Sequence, residues 1–187
     1  MPPLRLRPAG IALANVAMWA AAHVGAGYVA HRLPLARLEH DGRLLRLRPW
    51  EHGGRVYQRL LRTGRRKDRL PEAGAFFAGG LSKRTLPARG EGGVERFAQE
   101  TRRAELAHWL SLLALPLFPV WNPPVGVLAM VLYGVGFNLP FIVVQRYNRG
   151  RTQRVLDARA RAVERSSTSR RGRRPEAVDR MMGSSIP

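Results

Sequence analysis

The sequence predicts an all-α integral membrane protein with about three transmembrane helices, one N-terminal and then a helical hairpin, joined by a basic cytoplasmic loop. Three observations carry this expectation. Apolar stretches at about 9–30, 104–121 and 125–144 hold more hydrophobic surface than a soluble chain of 187 residues can bury. The tetrapeptide Trp121-Asn122-Pro123-Pro124 between the last two is a tight turn. The Lys and Arg residues are also segregated: 2 precede the first stretch, 18 lie in residues 31–103, none lies in the turn, and 12 follow from Gln145 onward.

The first stretch carries no charge and follows Arg5 and Arg7. A signal peptide, with small residues near Gly25 and Gly27, is the alternative, and whether the segment is cleaved stays open. Residues 31–103 are polar and arginine-rich. Within them Val56, Tyr57, Leu60 and Leu61 fall on one side of a helix beside Arg55, Arg59 and Arg62, a pattern for a short helix on the membrane surface. Pro71, Gly74, Gly79 and Gly80 break the next part into turns. A soluble mini-domain is the competing reading of this loop. The second apolar stretch is short, roughly 27 Å as an α-helix, and contains Pro116 and Pro119. A hairpin that enters and leaves one membrane face is therefore an alternative to two full spans. From Ser166 to Pro187 the Ser-, Arg- and Gly-rich composition predicts a disordered basic tail beyond a membrane domain of residues 1–165.

Positive charge sets orientation. A three-span chain puts loop and tail on one side, with 30 basic residues against 2. The expectation is a multi-pass protein of the cell membrane, with the N-terminus outside and the loop and C-terminal tail cytoplasmic. The net charge of +19 and pI of about 11.8 suit an anionic surface or an acidic carrier protein. Of the 32 basic residues 30 are arginine, a bias that also follows from a GC-rich genome. A membrane-tethered nucleic-acid binder is disfavoured because the loop has no recognisable binding fold, so no nucleic-acid partner is expected.

The absence of cysteine excludes disulfides, thiolate metal sites and a cysteine acyl-enzyme. No histidine precedes an aspartate in the HxxxxD spacing of many acyltransferases, and GxSxG, HExxH, P-loop and GxGxxG patterns are missing. Neither a metal nor a bound cofactor is expected.

Two polar clusters remain as candidates. Thr101, Glu105 and His108 fall at i, i+4 and i+7 of a helix that enters the membrane at its cytoplasmic boundary. Glu105 and His108, one turn apart, are placed to pair, and a carboxylate that orients an imidazole makes a general base. The alternative is an interfacial anchor with Glu105 paired to Arg102 and Trp109 at head-group level. Asn138, Gln145 and Arg149 fall at i, i+7 and i+11 of the last helix and project to the same boundary, if the helix continues past Pro140. Amides there bind hydroxyls, and arginines bind a carrier's phosphate. A basic stop-transfer flank explains Arg146 and Arg149 but not Asn138 and Gln145. The two clusters are expected to converge across the hairpin.

The strings ETRRAELAHWLS and NLPFIVVQRYNRGR resemble the two most characteristic segments of the glycosyl-4,4′-diaponeurosporenoate acyltransferase family. Glu51-His52-Gly53-Gly54-Arg55-Val56-Tyr57 is similar to its E-x-x-G-x-x-[YFW] segment. Lys67-Asp68-Arg69-Leu70-Pro71 is similar to its K-[DH]-x-L-P segment, with Arg66 where the family usually has tryptophan. The resemblance covers most of residues 9–155. It implies a membrane acyltransferase that esterifies a sugar hydroxyl of a carotenoid glycoside with a fatty acyl group. The co-substrate would be an acyl-CoA or acyl-carrier thioester, with acyl carrier protein as a possible partner. On this reading His108 takes the hydroxyl proton, oriented by Glu105, and Asn138, Gln145, Asn148, Arg146 and Arg149 bind substrate or stabilise the oxyanion. The rival is a non-catalytic membrane subunit that recruits a soluble partner through its basic loop.

Overall fold

The computed structural model describes residue 4, residues 6–61 and residues 93–182. The segment Lys67–Pro71, Arg66 and the glycine turns expected at 71–80 lie outside the described residues. Regular structure among the described residues is helical. Helix α1 is Pro8–Arg32, α2 is Arg55–Leu61, α3 is Gly93–Ser111 and α4 is Pro124–Met182. Short 3-10 helices at Leu35–Leu38 and Pro49–Glu51 and a longer one at Leu112–Val120 connect them. The chain divides into two compact units, Met1–Thr152 and Gln153–Pro187.

Within the first unit, α1 packs against α3 and against the 3-10 helix Leu112–Val120. Pro8 starts α1 at a position where the missing N–H is no loss. The core is Trp19, Ala114, Phe118 and Trp121. The Trp19 and Phe118 rings lie 5.1 Å apart, and Tyr133 of α4 lies 5.2 Å from Trp19. Gly134 makes the helix approach feasible: a Cβ there would stand 2.6 Å from Trp19 Cη2.

One end of the unit is closed by the turn. Asn15 accepts from Trp121 Nε1 at 2.8 Å and from Asn122 Nδ2 at 2.8 Å, and Leu4 N donates to Val120 O at 2.9 Å. At the opposite end Arg103 Nη2 donates to Leu33 O at 3.0 Å. The start of α1 and the 121–124 turn therefore share one end, as expected from the sequence.

Two helices, α1 over Pro8–Arg32 and α4 over Pro124–Thr168, are long and apolar enough to cross a membrane. The middle stretch differs from the expected regular span. Pro116 and Pro119 withhold two backbone donors, and the chain winds as a nine-residue 3-10 helix after Ser111. At the 3-10 rise, residues 104–121 extend over roughly 30 Å instead of roughly 27 Å, the thickness of a hydrocarbon core. Pro140 does not interrupt α4, because α4 continues through it to Met182.

In the second unit the side chains of residues 157–168 are exposed. Composition predicts a disordered tail from Ser166, whereas α4 is helical through Met182. Ser166 and Ser167 donate to the carbonyls of Val163 and Glu164 at 2.8 Å, which satisfies their hydroxyls within the helix.

Candidate active site

The polar face of α4 is a stripe. Asn138, Phe141, Gln145, Asn148 and Thr152 recur every three or four residues, and all five are buried. Four of the five are polar, so this stripe needs polar partners on the facing elements.

Glu51 and Glu105 supply the anionic half. Both are fully buried. Arg146 lies between them, with Nε 2.6 Å from Glu51 Oε1, Nη2 2.9 Å from Glu51 Oε2 and Nη1 2.6 Å from Glu105 Oε1. Arg149 Nη1 donates to Glu105 Oε2 at 2.6 Å and its Nη2 donates to Leu45 O. Asp41 Oδ1 lies 2.6 Å from Arg102 Nε and 3.6 Å from Arg149 Nε. Three carboxylates and three guanidinium groups thus form one neutral, mostly desolvated chain. Backbone carbonyls of Leu38, Leu44 and Arg46 take further guanidinium N–H groups. Such a network is costly to break, because removal of one partner strands a buried charge.

The segment that presents Glu51 is built for it. His52, Gly53 and Gly54 all have positive φ, at 48°, 62° and 84°. This left-handed turn reverses the chain after the 3-10 helix and starts α2. It also seats the backbone directly on α4: a Cβ on Gly150 would collide with the Gly53 carbonyl, and one on Gly54 would lie 3.2 Å from Tyr147 Cα. Tyr57 then points inward and donates its hydroxyl to Glu51 Oε1, while the Arg48 amide donates to Oε2. The short helix expected at the membrane surface is present, but its tyrosine is buried. Burial alone raises a carboxyl pKa. At Glu51 the hydrogen bonds from Arg146, Tyr57 and Arg48 outweigh it and hold the group below the usual carboxylate value. Burial, and then the Glu51 carboxylate, push the Tyr57 phenol upward, so it stays a donor.

His108 has a different partner from the one its spacing suggests. Its Nδ1 lies 2.9 Å from Asn138 Oδ1, and its ring stacks on Phe141 at 4.8 Å with 10° between planes. Asn138 Nδ2 donates to Gly134 O at 2.8 Å, and Ser111 Oγ donates to Asn138 Oδ1 at 2.8 Å. That pattern assigns the amide oxygen to the histidine side. Nδ1 must then carry the proton, which makes Nε2 the basic nitrogen whenever the ring is neutral. Glu105 is instead held by Arg146, Arg149 and Trp109 Nε1, the last at 3.2 Å. The expected Glu105–His108 orientation is corrected: two strong cations outcompete a neutral ring for the carboxylate. The anchor alternative of Glu105 with Arg102 also gives way, since Arg102 pairs with Asp41.

The two clusters do converge across the hairpin, through the Glu105–Arg149 and His108–Asn138 contacts. The terminal nitrogens of Arg146 and Arg149 are engaged by internal acceptors, while Arg149 Nε makes no hydrogen bond among the described residues and only approaches Asp41. Gln145 and Asn148 are not satisfied in the same way: Gln145 Nε2 and Asn148 Nδ2 are buried without an acceptor among the described residues. Gln145 is one helical turn beyond Phe141, the ring under His108. Among the described residues no group of three or more His, Asp or Glu side chains is placed to hold a metal. Sequence reasoning missed Glu51, Asp41 and the orienting role of Asn138. The scarcity of acids, 13 against 32 bases, was the available signal that a buried arginine would claim one.

A family profile described as glycosyl-4,4′-diaponeurosporenoate acyltransferase matches residues 41–158, which include every side chain of this site. A protein named glycosyl-4,4′-diaponeurosporenoate acyltransferase from Staphylococcus haemolyticus (strain JCSC1435) is 28% identical over 161 residues, 86% of this chain and 94% of that one. Proteins of the same name from Staphylococcus aureus strains MRSA252 and USA300 are 40% and 39% identical over 72 residues, 38% of this chain and 43% of theirs. No solved structure matches the chain. The family profile covers more than half of the chain, and the chain is an acyltransferase that belongs to the glycosyl-4,4′-diaponeurosporenoate acyltransferase family.

Proposed function

We propose that this enzyme moves a fatty acyl group from a thioester donor, an acyl-CoA or acyl-carrier protein, to a sugar hydroxyl of a carotenoid glycoside held in the membrane. The observation that carries the reading is the His108–Asn138 pair, which holds the proton on Nδ1 and so assigns the role of base to Nε2 of the neutral ring. In the reaction Nε2 takes the proton of the sugar hydroxyl as its oxygen attacks the thioester carbonyl. The tetrahedral intermediate collapses with loss of the thiolate, which recovers the proton from the imidazolium. An ester and a free thiol result. The amide donors of Gln145 and Asn148 are suited to the oxyanion or to the sugar, because both are buried without a protein acceptor among the described residues. The ion-pair chain through Arg146 and Glu105 holds α3, α4 and the Glu51 turn in register around them.

The bilayer is the medium that fits the outer surface. Leu13, Leu113 and Val125, from three successive segments, are 71%, 69% and 79% exposed, and large apolar side chains exposed on every one of the apolar segments suit contact with lipid. All three segments cross in this reading. The turn faces outward, and the site lies at the cytosolic boundary, where a thioester donor arrives. The test is ester formation by purified full-length chain in nanodiscs. General-base catalysis is worth about 10²–10⁴-fold, and His108→Ala should lose that much at equal amounts of folded protein. Full activity in this variant would remove His108 as the base. Failure of the wild type with every thioester donor would overturn the reading.

A further inference from the structure

The proposed site accounts for the polar end of the first unit but not for a groove on its apolar flank. The groove runs between α1 and α4, has a volume of about 460 Å³, and is lined by Val16, Trp19, Ala20, His23, Met130 and Tyr133, with Asn15 as the one amide. That volume lies within the range of small-ligand sites. Its walls continue into a file of rings. Trp19 and His23 stack at 5.4 Å, His23 and Phe137 lie 4.8 Å apart, Phe137 and Phe141 5.5 Å, and Phe141 and His108 4.8 Å. A continuous aromatic path thus leads from the groove to the candidate base.

A second, independent feature marks the groove as incomplete. Trp19 is only 5% exposed, yet its Nε1 donor has no acceptor among the described residues, and His23 Nε2 has no hydrogen-bond partner there either. Buried polar groups without partners are rare in proteins and mark places that something else completes. A saturated chain offers an N–H group nothing, whereas the face of a conjugated system accepts it weakly. Flat conjugated chains also stack on rings with the offsets seen along this file.

We infer that the groove between α1 and α4 binds the flat conjugated hydrocarbon body of the acceptor, and that the aromatic file from Trp19 to Phe141 aligns it so that its hydroxyl-bearing head reaches His108. This assignment rests on the proposed reaction for the position of the head, while binding of the conjugated chain stands on the groove alone. It separates the two substrates: the acceptor's body is read along α1 and α4, and the donor approaches the polar end.

Binding is tested with trans-parinaric acid, a conjugated fatty acid, on the full chain in detergent, by energy transfer from tryptophan. Wild type should show saturable transfer that stearic acid does not displace at equal concentration. Ala20→Phe, which fills the groove from an exposed position, should weaken binding by more than ~10-fold. Tyr133→Leu, which removes one ring from the wall, should weaken it by ~2- to 10-fold, as one aromatic contact predicts. Trp19→Phe should remove most of the transfer. In turnover, Ala20→Phe should raise the ratio of KM for a conjugated-chain glucoside to KM for octyl glucoside by ~10-fold. Non-saturable transfer, equal affinity in both wall variants, or displacement by stearic acid would overturn the assignment. If the wild type makes no ester with any acceptor, the proposed reaction falls, and the binding result still decides the groove.

Discussion

Asn138 does at the residue scale what spacing assigned to Glu105. Its amide is fixed by Gly134 O on one side and receives Ser111 on the other, so the oxygen toward His108 is an acceptor by construction. Asn138→Ala should therefore reduce turnover by ~10- to 100-fold through loss of tautomer and ring orientation, within the range of general-base contributions. Asn138→Asp should keep an acceptor and recover part of the rate. Equal rates for both variants in the nanodisc ester assay would remove the orienting role. Glu105→Gln acts differently: it uncharges one carboxylate shared by Arg146 and Arg149, and stability should fall by ~3–5 kcal/mol as for a broken buried ion pair. Its signature is a lower unfolding midpoint, with the residual folded enzyme still active. Glu51 adds a pH dependence. Its folded pKa lies below the ordinary carboxylate value. The stability it contributes is present above the unfolded-state pKa and is lost as pH falls toward the lowered one. Unfolding midpoints across the acid range should decline in wild type and lose part of that slope in Glu51→Gln.

Among the elements, the turn at residues 52–54 decides whether Glu51 can reach Arg146. Three consecutive positive φ values are tolerable there because two of the residues are glycine. The close seat on α4 requires glycine on the helix side too. Gly150→Ala places a methyl group against the Gly53 carbonyl, and should destabilise by ~1–3 kcal/mol, as overpacking does. Thermal unfolding in detergent measures it, and an unchanged midpoint would mean that the turn does not sit on α4. The 3-10 helix Leu112–Val120 is the other unusual element. Its prolines remove α-helical hydrogen bonds, and its greater rise lengthens a stretch that is short as an α-helix.

For the whole molecule, the proposed orientation rests on the 30-to-2 division of basic residues. The chain has no native cysteine, so single-cysteine variants report position directly. A membrane-impermeant thiol reagent should label Pro124→Cys in intact cells and should label Ser166→Cys only after permeabilisation. Reversed labelling would invert the topology, and labelling of both from outside would favour a different number of crossings.

The apolar stretches, the turn at Trp121–Pro124, the helical faces of Glu105/His108 and Asn138/Gln145/Arg149, and the two long family-like strings are legible in the sequence. Each is a local pattern, fixed by helical period, turn chemistry or charge bias. Convergence of the two faces was legible too, because a short turn forces adjacent segments to meet. The partners within the site were not. Glu51 meets Arg146 across 95 residues, and Asp41 meets Arg102 across 61. No periodicity encodes which of several acids a buried guanidinium will claim. That choice depends on which carboxylate the packing of α1, α3 and the 52–54 turn desolvates beside it. The same competition took Glu105 from His108 and gave the imidazole to Asn138, because a charged donor outbids a neutral one for a buried carboxylate. The sequence by itself therefore determined where the polar groups sit along each helix, and only the tertiary structure decided which of them pair.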